Sequence, residues 1–183
     1  MAALIGRLIR GVICLVLMLQ SAVLLADWRE ALPDARLSGS GEMRLFGFSI
    51  YNAKLWSPRP MNGEPPGADV PFALELTYSR AIGRDDLVEA SLKEIRRLSP
   101  NPMSPELIAR GKSEMQRAFV DVGPGDRITG VNVPGEGARF YVGDKLQYVV
   151  KDEAFVNAFF AIWFDPRTRS PELRARLLGT AEP

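Results

Sequence analysis

The chain of 183 residues contains no histidine and a single cysteine, Cys14, which lies in its first apolar stretch. Without histidine the chain cannot build a Ser-His-Asp triad or a Cys-His nucleophilic pair. Zinc sites made of cysteine and histidine are excluded for the same reason. One cysteine permits no intramolecular disulfide, so the stability of the fold has to come from core packing.

The sequence also lacks the features of metal and nucleic-acid binding. It has no aspartate-rich loop of the kind that holds calcium, and we expect no metal and no cofactor. The formal net charge is +1, and without residues 1–26, which contain Arg7 and Arg10 and no acid, it becomes −1. This balance provides no basic surface, so we expect no nucleic-acid partner.

The N-terminal residues have the pattern of a secretory signal peptide. Arg7 and Arg10 precede an uncharged run, residues 11–26, that is dominated by Val, Leu, Ile, Met and Ala. The run is shorter than the about 20 apolar residues that span a membrane. We predict a signal peptide over residues 1–26 and one periplasmic or secreted domain over residues 27–183. Because Leu24 stands where a small residue is preferred, an uncleaved anchor is the alternative, and it would be the only membrane contact.

The rest of the chain alternates groups of strands with pairs of helices. The clearest strand is 72–79, where large apolar side chains alternate with smaller or polar ones. Apolar periodicity, caps and turn residues predict a long or bent strand pair within 44–56, three strands (126–133, 137–142, 145–150) and helices that begin near Asp85, Pro105, Asp152 and Pro171. This order predicts an α+β fold, a curved antiparallel sheet with helices packed on one face.

Three stretches together resemble the chalcone isomerase-like family, in its branch of exported bacterial proteins. They are residues 38–56 (SGSGEMRLFGFSIYNAKLW), residues 121–140, which begin DVGPGDRITG, and residues 155–179, which contain FFAIWFD. Their order and spacing cover nearly all of the chain after residue 26. The resemblance implies an open-faced β-sandwich, in which a large antiparallel sheet packs against a layer of helices and leaves a cleft for a flat or elongated apolar ligand.

The resemblance also implies which positions matter. In the enzymes of the family an arginine, a threonine and a tyrosine converge on the reacting phenolate, and other members bind fatty acids through the arginine. The arginine matches Arg44, with one additional residue after Gly41, and the threonine falls on or near Tyr51. The tyrosine falls on Leu87, which cannot polarise a water against a carbonyl, so chalcone isomerase activity is not expected.

The candidate ligand-binding residues are therefore Arg44, Tyr51 and Tyr78. A guanidinium binds a carboxylate or phenolate strongly in an apolar cleft, and a strand tyrosine offers a hydroxyl to the same head group. Each has a structural alternative. Arg44 is equally consistent with a surface arginine lying along the sheet, and both tyrosines with core residues whose hydroxyls reach the rim.

The leading hypothesis is an exported, non-catalytic binder of a small hydrophobic anion such as a fatty acid, with Arg44 as the counter-charge. One alternative is an isomerase of the intramolecular lyase type, in which Arg44 stabilises an oxyanion. A second alternative is an exported interaction module whose cleft is filled by its own side chains. A structure distinguishes them by whether Arg44, Tyr51 and Tyr78 face one cavity.

Overall fold

The computed structural model describes residues 27–67 and 69–180, so the predicted signal peptide lies outside the described residues. The elements are α1 (Trp28–Ala31), β1 (Arg36–Leu45), β2 (Phe48–Ser57), β3 (Phe72–Tyr78), α2 (Arg84–Leu98), α3 (Pro105–Ala118), β4 (Arg127–Val133), β5 (Gly137–Val142), β6 (Lys145–Val150), α4 (Glu153–Phe164) and α5 (Pro171–Leu177). The predicted α+β class is confirmed.

The six strands form one antiparallel sheet in which spatial order follows chain order. Every strand therefore pairs with its neighbours in sequence, and no crossover connection is needed. The turn between β5 and β6 contains Gly143 at a φ of 58°, a left-handed conformation that suits a two-residue hairpin turn. The large antiparallel sheet is the one expected from the sequence.

The first strand begins earlier than the sequence pattern indicated. A strand pair was predicted within residues 44–56, whereas β1 starts at Arg36 and the hairpin turn falls on Phe46 and Gly47. Two glycines, Gly39 and Gly41, lie inside β1, and glycine is depleted in strands because it loses much conformational freedom and packs no side chain. Local propensity therefore underestimates this strand.

Close packing of α5 against β1 explains these glycines. A Cβ atom on Gly39 would collide with the backbone carbonyl oxygens of Arg176 and Leu177, while one on Gly41 would meet the Cδ1 atom of Leu173 at 2.9 Å. Only glycine allows the helix backbone to approach the strand this closely. The contact attaches the C-terminal helix to the edge strand of the sheet.

The main core lies between the inner face of the sheet and helices α2 to α5. Its centre is Phe159 of α4, whose ring centroid lies within 5.8 Å of those of Phe119, Phe140, Phe160 and Trp163. Most of these pairs meet edge to face, the arrangement favoured by the charge distribution of aromatic rings. The aromatic run of α4 is thus part of the core.

A smaller core covers the opposite face of the sheet, where the sequence pattern predicted no helix. Helix α1 lays Trp28, which is fully buried, against Trp56 of β2 at a centroid distance of 5.6 Å. The Asp27 side chain caps this helix by accepting a hydrogen bond from the Arg29 backbone N–H. A four-residue helix is too short to show periodicity, so only its packing reveals it.

No helix within residues 27–67 and 69–180 has the length and apolar character that crossing a membrane requires. In the same part of the chain, no group of three or more acidic, cysteine or histidine side chains is placed to hold a metal ion.

Candidate functional site

An apolar cavity of about 630 Å³ lies between the inner face of the sheet and helices α2, α4 and α5. Strands β1 to β5 form its floor, and its wall is mainly aliphatic and aromatic, with Leu74, Leu76, Phe159, Phe160 and Trp163 among its members. Cavities of about 300–1,000 Å³ with such walls are the usual sites of small organic ligands. The volume and the lining both suit an elongated apolar molecule.

Two tyrosines place their rings side by side in the floor of this cavity. Tyr51 of β2 lies directly opposite Tyr78 of β3 in the sheet register, with ring centroids 6.0 Å apart in an edge arrangement. The indole Nε1 of Trp163 in α4 donates a hydrogen bond of 3.0 Å to the Tyr51 hydroxyl oxygen. This bond orients Tyr51 and leaves its own hydroxyl proton available to another acceptor.

Both tyrosine hydroxyls remain protonated donors at neutral pH. Burial raises the pKa of Tyr51 to about 12, and the hydrogen bond from Trp163 opposes that rise. Burial, and then the nearby Tyr51, raise the pKa of Tyr78 still further above its ordinary value. Among the described residues the Tyr78 hydroxyl has no hydrogen-bond partner, although only 5% of the residue is exposed. The hydroxyl oxygen itself is accessible rather than fully buried, and it lies in the cavity lining, where it is free to donate to an acceptor on a ligand.

Arg44 lies outside this cavity, so the structure does not bring the three predicted residues together. Its side chain is 62% exposed, and its Nε atom donates to a carboxylate oxygen of Glu42 at 2.6 Å. Its neighbours Met43 and Leu45 line the cavity instead. Because successive strand residues point to opposite faces, an inward Met43 requires an outward Arg44. Ligand binding by Arg44, Tyr51 and Tyr78 stays a prediction.

Two contributors to the cavity were not foreseen from the sequence. A β-bulge at Ile50 lets Met43 pair with Tyr51 and Arg44 with Ser49, and it brings both Ile50 and Tyr51 to the cavity wall. The second is Trp163, the hydrogen-bond partner of Tyr51, which comes from a helix 112 residues away in sequence. Bulges and contacts between distant elements leave no local pattern in the sequence, which is why both were missed.

Helix α2 closes the cavity with an apolar side chain. Leu87 lines the cavity near the start of α2, at the position where the family resemblance implies a tyrosine in the enzymes. A leucine side chain has no hydrogen-bond donor or acceptor. This part of the wall can exclude water from a ligand but cannot orient it.

The charged side chains of the cavity lining are all at least partly exposed, and we call this set the rim; four of its members are basic and two are acidic. The rim carries Arg80, Asp86, Lys93, Glu94, Arg169 and Arg174. Arg169 is paired with Glu94 at 2.7 Å, whereas Arg80 and Lys93 form no ion pair within the described residues. The rim is therefore able to attract an anion toward an otherwise apolar interior.

A second depression, of about 700 Å³, lies beside the start of α2 and is lined largely by polar and charged groups. Several of its polar groups already have partners, since the Asp121 carboxylate accepts a 2.7 Å hydrogen bond from the Arg84 backbone N–H. The Gln147 side chain likewise donates to the Arg117 carbonyl oxygen at 3.2 Å. None of the predicted site residues reaches it.

An open antiparallel sheet, helices packed on its inner face and an apolar cavity between the two layers define an open-faced β-sandwich with an internal ligand-sized site. The chain belongs to the chalcone isomerase-like family, because the family model of that description matches residues 33–179. The resemblance to this family, stated from the sequence, is confirmed, and the branch of exported bacterial proteins stays a prediction.

The comparison with solved structures agrees with this fold. A fatty-acid binding protein of Arabidopsis thaliana is similar to this chain with a TM-score of 0.58 at 13% identity, over 79% of this chain and 87% of that one. No curated protein matches the chain.

Proposed function

We propose that this protein is a non-catalytic binder of a small hydrophobic ligand with an acidic head group, of the fatty-acid class. The observation that carries the proposal is the apolar cavity of about 630 Å³ with Tyr51 and Tyr78 in its wall. The solved structure similar in fold is described as a fatty-acid binding protein, which supports the same class of ligand. The acyl chain would lie among the leucine and phenylalanine side chains of the wall.

In this proposal the head group is held by the two tyrosines rather than by Arg44. Each phenol hydroxyl is a protonated donor, and a hydrogen bond from a neutral donor to a carboxylate is stronger than one between neutral groups. Tyr78 is the last residue of β3, with Tyr51 beside it on β2, and the chain continues from Tyr78 through Ser79 to Arg80 on the rim. A carboxylate beside the tyrosines would thus be hydrogen-bonded and close to a cation, which reduces the cost of its burial.

The two alternatives have less support. The isomerase depended on Arg44 as the group that stabilises an oxyanion, and Arg44 is exposed on the other face of the sheet with Glu42 as its partner. The interaction module required a cleft filled by its own side chains, whereas about 630 Å³ of the cleft is open. The groups that do line the cavity, apolar side chains and two tyrosine hydroxyls, fit binding without catalysis best.

Ligand affinity tests the proposal. We expect solvent extraction of the purified protein to release a fatty acid, and a fluorescent fatty-acid probe to bind with one site per chain. Replacing Tyr51 and Tyr78 together by phenylalanine should weaken the probe at least roughly tenfold, because each hydrogen bond to a charged group contributes about 1.5–3 kcal/mol. Displacement titrations on the two proteins provide the measurement.

Two control variants keep this test specific. Tyr141→Phe removes the same atom from a buried tyrosine that packs on the opposite face of the sheet, and Arg44→Ala removes the arginine outside the cavity. Both should leave the probe affinity unchanged. Loss of affinity in the Arg44 variant would instead restore the arginine-based hypothesis, and equal affinity in the double tyrosine variant would contradict the proposed head-group site.

We propose further that residues 1–26 direct export and that the domain acts outside the inner membrane of a bacterium. The support is the basic and then apolar pattern of the segment. Expression in a bacterial host followed by fractionation should recover the protein from the periplasm with Asp27 as its first residue, as read by N-terminal sequencing. Recovery of an intact N-terminus in the membrane fraction would establish the uncleaved anchor.

A further inference from the structure

The turn between β1 and β2 exposes large apolar side chains at the end of the sheet. This hairpin tip consists of residues 45–48, Leu-Phe-Gly-Phe. Phe46 is 91% exposed, Phe48 67% and Leu45 50%, so the tip contains the most exposed of the large apolar residues in the described part of the chain. Contiguous exposed apolar groups on a folded domain mark surfaces that contact another apolar phase or a partner.

The backbone of the tip gives no structural reason for an aromatic residue. Phe46 has a φ of 50° and Gly47 a φ of 83°, the left-handed conformation at both central positions of a two-residue hairpin turn. Asparagine, aspartate or glycine suits the first of these positions, whereas a bulky side chain is strained there. Phe46 also contributes nothing to the core, since nearly all of its surface is in solvent. Phe46 therefore adds exposed apolar area to the surface of the domain.

The hairpin tip is continuous with the mouth of the cavity. Leu45 belongs both to the tip and to the cavity wall, and Ile50, at the bulge in β2, lines the cavity two residues beyond Phe48. The Ser49 and Ser79 side chains, hydrogen-bonded at 2.9 Å, tie this part of the hairpin to the end of β3. An apolar path therefore leads from the exposed phenylalanines into the site.

Charge complements this apolar path. Four basic side chains and two acidic ones line the cavity and its rim, and Arg80, directly after Ser79, lies on the rim. Basic groups beside inserted apolar side chains are attracted to the anionic head groups of a lipid surface. The tip and the basic rim thus present to one surface the two interactions that such a membrane offers.

We propose that the hairpin tip inserts into the surface of a bilayer that contains anionic phospholipid and so holds the cavity mouth against the membrane. A stable protein interface needs about 20–30 residues on each side, and a convex tip of three apolar side chains does not supply them. Insertion into a bilayer requires only a few side chains. The inference that the tip contacts a bilayer does not depend on the proposed function. Only the passage of a ligand between the bilayer and the cavity at this contact rests on that function.

A tryptophan placed at the tip tests the contact directly. In vesicles of phosphatidylethanolamine and phosphatidylglycerol with brominated acyl chains, the Phe46→Trp protein should show a blue shift and quenching of the added emission. Leu37→Trp is the matched control, because Leu37 is 49% exposed near the opposite end of the same strand and should show neither change. Quenching that is absent at position 46, or equal at both positions, overturns the proposal.

The removal of both aromatic side chains tests how much the tip contributes. Phe46→Ser combined with Phe48→Ser should weaken co-sedimentation with the anionic vesicles at least tenfold, and vesicles of phosphatidylcholine alone should bind the parent protein more weakly. All variants carry the same residues 1–26, so any contribution of that segment cancels. Vesicle binding by the double variant that equals that of the parent contradicts a bilayer contact. So does a double variant that keeps its vesicle binding and loses self-association, as measured by ultracentrifugation.

The same double variant separates this inference from the proposed function. Its far-ultraviolet circular dichroism and melting temperature should equal those of the parent or exceed them, because no core side chain is removed. Its affinity for the fatty-acid probe in solution should also be unchanged, since the tyrosines are intact. Conversely, the variant with both Tyr51 and Tyr78 replaced by phenylalanine should lose probe binding and keep vesicle binding, because its hairpin tip is intact.

Discussion

Replacing Phe159 by alanine is expected to lower the free energy of unfolding by about 3–5 kcal/mol. Phe159 is 5% exposed and contacts aromatic side chains from α4, from β5 and from the segment after α3, so its removal leaves a void that rigid neighbours cannot fill. Urea denaturation followed by circular dichroism measures the loss. No other single truncation in this core removes so many ring contacts.

The position of Phe159 in the cavity wall adds a second expectation. The void joins the existing cavity rather than forming a closed one, so an apolar ligand can occupy it. A fatty acid at saturating concentration should therefore recover part of the lost stability, because a ligand that binds only the folded state stabilises it in proportion to the logarithm of its concentration.

Phe48→Ala provides the control for this prediction. Phe48 is 67% exposed, and its removal should change the free energy of unfolding by no more than about 0.5 kcal/mol. Similar losses in the two variants would mean that Phe159 does not organise the core as described.

Gly39→Ala is expected to destabilise the fold by about 3 kcal/mol or more, through overpacking. The added methyl group would meet backbone carbonyl oxygens of Arg176 and Leu177, and a helix backbone cannot move aside as a side chain can. The expected result is a lower melting temperature together with detachment of α5 from β1, which faster amide hydrogen exchange in residues 171–177 would report.

Gly41→Ala is the matched comparison, two residues along the same strand. Its Cβ atom would meet the end of the Leu173 side chain at 2.9 Å and the Cδ atom of Arg176 at 3.1 Å, and both can shift. The loss of stability should be clearly smaller than at Gly39. Equal losses at the two positions would show that β-strand conformation, rather than the approach of α5, is what requires glycine here.

The fold was predictable from the sequence wherever periodicity is strong. Alternating residues such as Leu74 and Leu76 in β3, and helically spaced Phe155 and Phe159 in α4, produce patterns that only one element satisfies. The beginning of β1 and the four residues of α1 were missed because glycines and short length remove the pattern. Their conformation is selected by the helix or sheet that they pack against.

The candidate site was predictable only in part, and Arg44 shows why. A strand has a period of two, so an error of one residue in the match moves a side chain to the opposite face of the sheet. The additional residue between Gly41 and Arg44 produces such a shift, since Met43 lines the cavity and Arg44 does not. Tyr51 and Tyr78 do line the cavity, and they are neighbours because their strands pair in this register.

By itself the sequence determined the available chemistry of this protein. The absence of histidine and the single cysteine exclude whole classes of site before any folding, since no arrangement can supply a missing side chain. It also determined most helices and strands, because their residue periodicity is local.

Tertiary structure alone decided which face each side chain occupies and what surrounds it. Tyr51 and Trp163, 112 residues apart, meet in one hydrogen bond, and the open cavity exists only between elements that the chain brings together. The exposure of Phe46 was decided in the same way, because burial depends on neighbours that are distant in sequence and not on the residue itself.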